Sequence, residues 1–439
     1  MNMKIKNVVI SILLTFPILL SGCSSREYSS SSSSKHEHTF TEQWSYDEQF
    51  HWHEATCGHD VISEKEEHIF GRWHLQNNEK YRICEVCDYK EIEIIGEDFY
   101  VELFDFTLNE DKSSYSIKGK NVLEGESNSH IFGDIIIPDF YNGMPVTRVE
   151  DKAFWYCSEI TSLVIGDNIT EIGTQAFFYN RNLTNVDTGL NVVSFGDSAF
   201  CYCHIEELLL HDNLQSIGDS CFSINLLPSE LIIPKSVKHF GMASFWYCSV
   251  LESLKVVDEN PYFASKDGVV YTKDFREIVV VPQRKTETIE IPNNLEVVGP
   301  GAFYDNDNLK EFISPETLVS IKTRAFIDCS QLTKVTFANG LLDVGEWAFF
   351  GCNKIKVIDI PLKVTRIEEC TFAYCSSLEK VKLSESIKYL GHEAFKGDKS
   401  LASIEFSGTI EQWYLIEKEN DWCDATLQSI ICANGVVEA

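Results

Sequence analysis

Between Phe154 and Phe395 a phenylalanine returns almost every 23 residues, and few folds impose so regular a period on a chain. Phe154, Phe177 and Phe200 are 23 apart, Phe222 follows after 22 and Phe245 after 23, and Phe303, Phe326, Phe349, Phe372 and Phe395 repeat the step of 23. Most follow alanine, as in Ala153–Phe154, Ala302–Phe303 and Ala348–Phe349. One ring per period cannot bury itself. Stacked coils can bury a whole line of rings, so the period predicts a solenoid with one elongated hydrophobic spine.

Each period contains a short alternating triplet, such as Leu163–Ile165, Leu208–Leu210, Leu231–Ile233 or Val335–Phe337. Such a strand is too short to stand alone and must pair with its copies in neighbouring coils. Proline closes several of them, at Pro138, Pro234, Pro292 and Pro361, where a missing donor suits the exit from a sheet. A glycine follows at Gly173, Gly196, Gly218, Gly241, Gly299, Gly345 and Gly391, marking a tight bend or a close approach of adjacent backbones. One coil is therefore one strand, a turn and a short helical or irregular return, an α/β solenoid of short parallel strands.

Three residues beyond each phenylalanine lies a second register. It holds Cys157, Cys203, Cys248, Cys329, Cys352 and Cys375, with Asn180, Asn225 and Asn306 in the same place in other coils. Cysteine and asparagine interchange without constant pairing, which predicts an internal structural ladder beside the rings and argues against disulfides or a metal.

In each triplet the outer residues point inward and the middle one outward. The middle residues in order are Val164, Asp187, Leu209, Ile232, Lys255, Ile313, Thr336, Asp359, Lys382 and Glu405, apolar first and polar later. With strands about 4.8 Å apart these form one surface stripe, a candidate protein-binding line. Strand propensity, or cover by a neighbouring segment, accounts for the same branched residues.

The flanks differ. Lys4 and Lys6 precede an apolar run from Val8 to Leu20, then Ser21, Gly22 and Cys23. This resembles a bacterial lipoprotein signal peptide over residues 1–22, which implies that Cys23 is lipidated; an ordinary secretory signal cut nearby is the alternative. Residues 23–34 are mostly serine and read as a flexible tether.

Residues 35–97 contain seven of the twelve histidines, with Trp44, Trp52, Trp73, Cys57, Cys84 and Cys87. Cys84 and Cys87 have zinc-knuckle spacing, which lets two thiolates face one tetrahedral ion; Cys57, His59 and His53 are candidates to complete the set. One structural zinc would stabilise a module too small for a large core. A disulfide formed after export uses the same cysteines and stays open as a reading. Catalytic zinc is not expected, because no His-Glu-x-x-His helix is present.

Residues 98–151 read as an N-terminal cap and 152–406 as the repeat stack. The step from Phe245 to Phe303 is not a multiple of 23 and implies an inserted hairpin near 260–290, turning at Asp267–Gly268. Residues 407–439, with Trp413 and Trp422, read as a C-terminal cap. A net charge of -30 repels nucleic acid and anionic lipid, so membrane attachment would rest on the lipid alone. No nucleophile elbow, phosphate loop or recurring acidic pair suggests an enzyme.

With these residues in view, the chain resembles the BspA-like, or Treponema-type, leucine-rich repeat proteins. Their pattern is met at Ala348–Phe349, Cys352, Ile355, Ile358–Pro361 and Val364–Ile367, with Glu368 where glycine is usual. It is met again at Ala153–Phe154, Cys157, Ile160, Leu163–Ile165 and Ile169–Gly173. Asn260–Tyr271 resembles the family's internal element, with Phe263 in place of a tyrosine, and Gly408, Thr409, Gln412, Trp413 and Trp422 resemble its terminal one. The resemblance implies a bacterial cell-envelope protein, surface-displayed, that binds or adheres to an extracellular or host protein. An envelope scaffold, or zinc scavenging through residues 35–97, are the alternatives.

Overall fold

The computed structural model describes residues 38–57, 61–63, 65–70, 74–76, 79–94, 102–128, 130–285, 289–424 and 426–438. The leader, Cys23, the serine tether and His59 lie outside the described residues. The chain forms two compact units, Met1–His68 and Ile69–Ala439.

In the first unit, antiparallel strands Phe40–Tyr46 and Phe50–Ala55 are joined by a tight turn, and Glu66–Glu67 pairs with the second strand. Asp47 builds that turn: its carboxylate accepts from the backbone N–H groups of Gln49 at 3.0 Å and Phe50 at 2.8 Å. An aspartate can do this because its short side chain reaches its own backbone two residues on.

The second unit opens with a three-stranded antiparallel sheet, His74–Gln76, Glu79–Ile83 and Lys90–Ile94. A hairpin of Phe104–Leu108 and Tyr115–Gly119 follows, and the latter strand pairs in parallel with Met144–Val149 to start the stack. From there each coil adds two strands. Asn185–Asp187 pairs with Glu207–Leu209, while Ser194–Phe195 pairs with Ser216–Ile217, both in parallel. The expectation of one strand per coil is thus corrected to two. The residues just before each glycine, buried at Ile172, Phe195 and Ile217, form a second parallel ladder because their backbone groups also need partners.

The glycines serve close approach. A Cβ on Gly196 would lie 2.5 Å from the backbone nitrogen of Thr174, and one on Gly241 would lie 2.3 Å from that of Asp219. Both neighbours belong to the preceding coil.

The return side is irregular and carries its own ladder. Gln175, Phe177 and Tyr179 donate backbone N–H groups to the carbonyls of Asp197, Ala199 and Cys201, at 2.8, 2.7 and 2.8 Å. To aim these groups the chain takes φ of +55° at Gln175 and +65° at Tyr179, either side of the phenylalanine. The same positions are left-handed at Lys152 and Tyr156, Ser198 and Tyr202, and Ala243 and Tyr247. Bulky residues seldom adopt that region, so the repeated ladder outweighs the local cost. The N-terminal end of this ladder is closed by Asn128, which donates from its side chain to Trp155 O at 2.8 Å and from its backbone to Tyr156 O at 3.0 Å. At the other end Phe395 N donates to Trp422 O at 2.8 Å.

Stacked rings fill the interior. Phe154, Phe177, Phe200, Phe222 and Phe245 stack nearly parallel, with centroids 5.0 to 5.8 Å apart. Phe303, Phe326, Phe349, Phe372 and Phe395 do the same at 4.8 to 5.7 Å. Burying each ring contributes about 2–3 kcal/mol before entropy is counted.

The single spine expected from the period is two. The inserted hairpin, Phe263–Lys266 paired with Val269–Thr272, stands between them. Strand alternation makes the wall: Val270 belongs to the first core, while Val269 and Tyr271 belong to the second.

Candidate functional site

The triplet alternation is present as expected. Leu209 is 47% exposed between Leu208 at 8% and Leu210 at 9%, and Ile232 is 55% exposed between Leu231 at 3% and Ile233 at 0%. Ile313 is equally open beside buried Phe312. Lys255, Thr336 and Asp359 are exposed, and Val164, Asp187, Lys382 and Glu405 are half-buried.

Register places Leu209 beside Asp187, Ile232 beside Lys255, Ile313 beside Thr336, and Asp359, Lys382 and Glu405 in one row. The polar end is tied by ion pairs, Lys382 to Asp359 at 3.3 Å and Lys380 to Glu405 at 2.5 Å. Such exposed pairs contribute little to stability and leave the row hydrated. Beside them lies an open depression of about 400 Å³, lined by Asp359, Lys382, Glu405, Phe406 and Ile431 among others.

The cysteine register is a hydrogen-bonded ladder. The thiols of Cys203, Cys248, Cys329, Cys352 and Cys375 each donate to a phenylalanine carbonyl one coil back, at 3.1 to 3.2 Å. Asn225 reproduces this with its amide, donating to Phe200 O at 2.9 Å and accepting from Ile205 N at 3.0 Å. Burial pushes the Cys157 and Cys248 thiols up to about 12 and those of Cys352 and Cys375 well above their ordinary value. These are structural thiols, poor nucleophiles at neutral pH.

Sequence inspection passed over the position two beyond each phenylalanine. Tyr156 and Tyr179 stack with centroids 4.1 Å apart, Tyr202 follows at 5.3 Å, and the Arg181 guanidinium lies 4.2 Å over Tyr179. The signal was a third register in the period, at Phe plus two.

A His/Cys cluster capable of coordinating a metal ion exists, comprising His51, His68, Cys84 and Cys87. Cys84 and Cys87 come from the expected knuckle. Cys84 N donates to Tyr89 O at 2.8 Å, Asp88 N to Cys84 O at 3.2 Å, and Asp88 turns the chain with φ of +60°. Burial raises the pKa of Cys87. His51 is wholly buried, and its ring sits 5.5 Å from that of His68.

Two thiols and two imidazoles are a tetrahedral zinc donor set, so the residues fit the ion. Of the other residues named from sequence, His53 stacks on Trp44 at 3.7 Å and approaches Gln43 O at 3.3 Å, while exposed Cys57 meets His38 Nδ1 at 3.2 Å. Neither belongs to the cluster. The knuckle spacing was visible in sequence, whereas the choice among many histidines is not a property of spacing.

The sequence pattern described as a BspA type Leucine rich repeat region matches in six copies, over residues 147–266 and 296–415. The gap between the two stretches falls on the insertion. A leucine-rich cell surface protein from Faecalibacterium prausnitzii is similar in structure, with a TM-score of 0.51 and 24% identity, covering 72% of this chain and 96% of its own. The pneumococcal vaccine antigen PcpA gives a TM-score of 0.53 and 21% identity, covering 82% of this chain and 98% of its own. No curated protein matches the sequence. The solenoid common to these matches is a non-catalytic scaffold.

Proposed function

Because the chain belongs to the BspA-type leucine-rich repeat family, we propose that it is a surface lipoprotein of the bacterial envelope whose repeat face binds or adheres to an extracellular or host protein. The observation that supports this most is the exposure of Leu209 and Ile232 between buried neighbours, and of Ile313 beside buried Phe312. Single exposed apolar residues are ordinary, whereas their recurrence at one position of the repeat suits a contact surface. Lys255, Thr336, Asp359 and Lys382 hold the same position of the repeat in other coils, with groups suited to a hydrated rim. The descriptions of the two structural relatives, a cell surface protein and a vaccine antigen, favour display outside the cell.

Lipid on Cys23 would supply the anchor; among the described residues no helix is long and apolar enough to cross a membrane. Incorporation of a clickable palmitate, lost in Cys23→Ala together with membrane association, tests this. For binding, the full chain and a Leu209→Ser/Ile232→Ser variant are compared on a panel of extracellular matrix proteins. Loss of binding with unchanged melting supports the stripe, and unchanged binding discards it.

The His/Cys cluster is read as a structural zinc site. Bound zinc would cross-link the chain where core volume is small, and with His51, Cys84 and Cys87 buried and His68 half-buried the donors suit a closed site. One zinc per chain surviving dialysis, and lost in Cys84→Ser, is the expected result. Several weakly held, exchangeable ions would favour scavenging instead.

A further inference from the structure

The cysteine and asparagine ladder has one more rung, and it is an acid. Asp398 stands three residues beyond Phe395, in the register of Cys375 one coil earlier. The backbone repeats too: Leu401 N bonds to Asp398 O at 2.9 Å, as Leu378 N does to Cys375 O at 2.8 Å. Asp398 is 1% exposed, and neither carboxyl oxygen makes a full hydrogen bond.

The rungs at Cys203, Cys248, Cys329, Cys352, Cys375 and Asn225 place a donor here, while the Asn180 amide finds no partner. The thiols of Cys329, Cys352 and Cys375 donate to the carbonyl of the residue 26 earlier, and Asn225 donates to Phe200. For Asp398 the same register gives Phe372 O. A carboxylate can only accept, and it would meet that carbonyl oxygen with like partial charge. A neutral carboxylic acid, like the asparagine amide, offers a donor on one arm and an acceptor on the other.

We propose that Asp398 is carried as a neutral acid whose O–H donates to the Phe372 carbonyl, making closure of the last coil against the C-terminal segment proton-dependent. The groups around it act consistently. The Cys375 backbone N–H points at the carboxyl from the preceding coil, and the Cys375 thiol is itself raised by burial. From the C-terminal segment Asp424 adds a like charge while accepting from Gly397 N at 2.8 Å. On its own turn, Lys396 is engaged by Glu393 at 3.2 Å. Burial first, with Asp424 assisting against the Cys375 N–H, pushes Asp398 up to about 9 from 3.8.

A raised folded pKa contributes stability that is complete below the unfolded value and is lost as pH rises through the folded one. The test is amide protection at Leu401 and Ile404 by hydrogen exchange, comparing the full chain with Asp398→Asn and Asp398→Cys. Local opening in the wild type should increase relative to both variants by about tenfold per pH unit between pH 5 and 8, and coincide with them near pH 4. Parallel profiles at every pH would overturn the proposal. Where a variant fails to fold, the Asp398 carboxyl carbon shift decides: a midpoint above pH 7 upholds it, and one below pH 5 overturns it.

Discussion

The thiol of Cys352 donates to the carbonyl oxygen of Phe326, 26 residues earlier and 3.1 Å away, so a side chain from one coil ties down the backbone beside the ring of the coil before it. The bond links the two registers read from sequence. It also explains why small donors occupy the position: anything larger would push the coils apart, and anything without a donor would leave a buried carbonyl short of a partner.

Cys352→Ala should therefore destabilise the protein by about 1–2 kcal/mol, from lost packing and a lost hydrogen bond. With maleimide at pH 8, exposed Cys57 should react in the native protein, whereas Cys157, Cys203, Cys248, Cys329, Cys352 and Cys375 should react only in denaturant. Peptide mapping after labelling checks this. Rapid native labelling of Cys352 would contradict the ladder.

The two cores should be energetically separable. Phe177→Ala and Phe326→Ala remove fully buried rings from different cores and should each cost about 3–5 kcal/mol. In a double-mutant cycle their coupling should stay within about 0.5 kcal/mol, while Phe326→Ala with Phe349→Ala should couple more strongly. Urea melts of the four variants supply the comparison, and strong coupling of Phe177 to Phe326 would restore the single spine.

Glycine positions should divide by cause. Gly241→Ala places a methyl 2.3 Å from the backbone of the coil before it, with no flexible side chain to yield. A loss above about 3 kcal/mol, or failure to fold, is expected. Gly143 has φ of +72° but open space around it, so Gly143→Ala should cost only about 1 kcal/mol from conformation alone. Equal losses would show that close approach is not what the repeat glycines serve.

Acid should loosen the first hairpin before it affects the coils. The backbone N–H groups of Gln49 and Phe50, with Lys65, hold Asp47 at about 2 instead of 3.8. A depressed folded value means that the stabilisation is present above the ordinary pKa and is lost as pH falls through the folded one, here from about pH 4 to 2. NMR shifts of the Gln49 and Phe50 amides should titrate with a midpoint well below 3.8, and Asp47→Ala should abolish that titration.

Much of the solenoid was legible because a period is a one-dimensional property. Phe154 to Phe395 announced the stacking, and the alternation around Leu209 and Ile232 announced which side chains face out. Less visible was the second strand of each coil, because pairs such as Ser194–Phe195 are too short to carry a pattern of their own. The left-handed residues were hidden too. Tyr156 and Tyr179 are poor formers of that conformation, and only the ladder to the next coil makes it worthwhile.

What the sequence determined alone is the repeat: its length, its inward ring and the outward middle residue of each triplet, since these follow from spacing along the chain. Tertiary structure decided everything that depends on which distant segments meet. It turned one spine into two, because Val269 and Val270 on a single strand face opposite cores. It also buried Asp398 where neither carboxyl oxygen makes a full hydrogen bond. Pairing and burial set those neighbours, and neither is written in the spacing of residues.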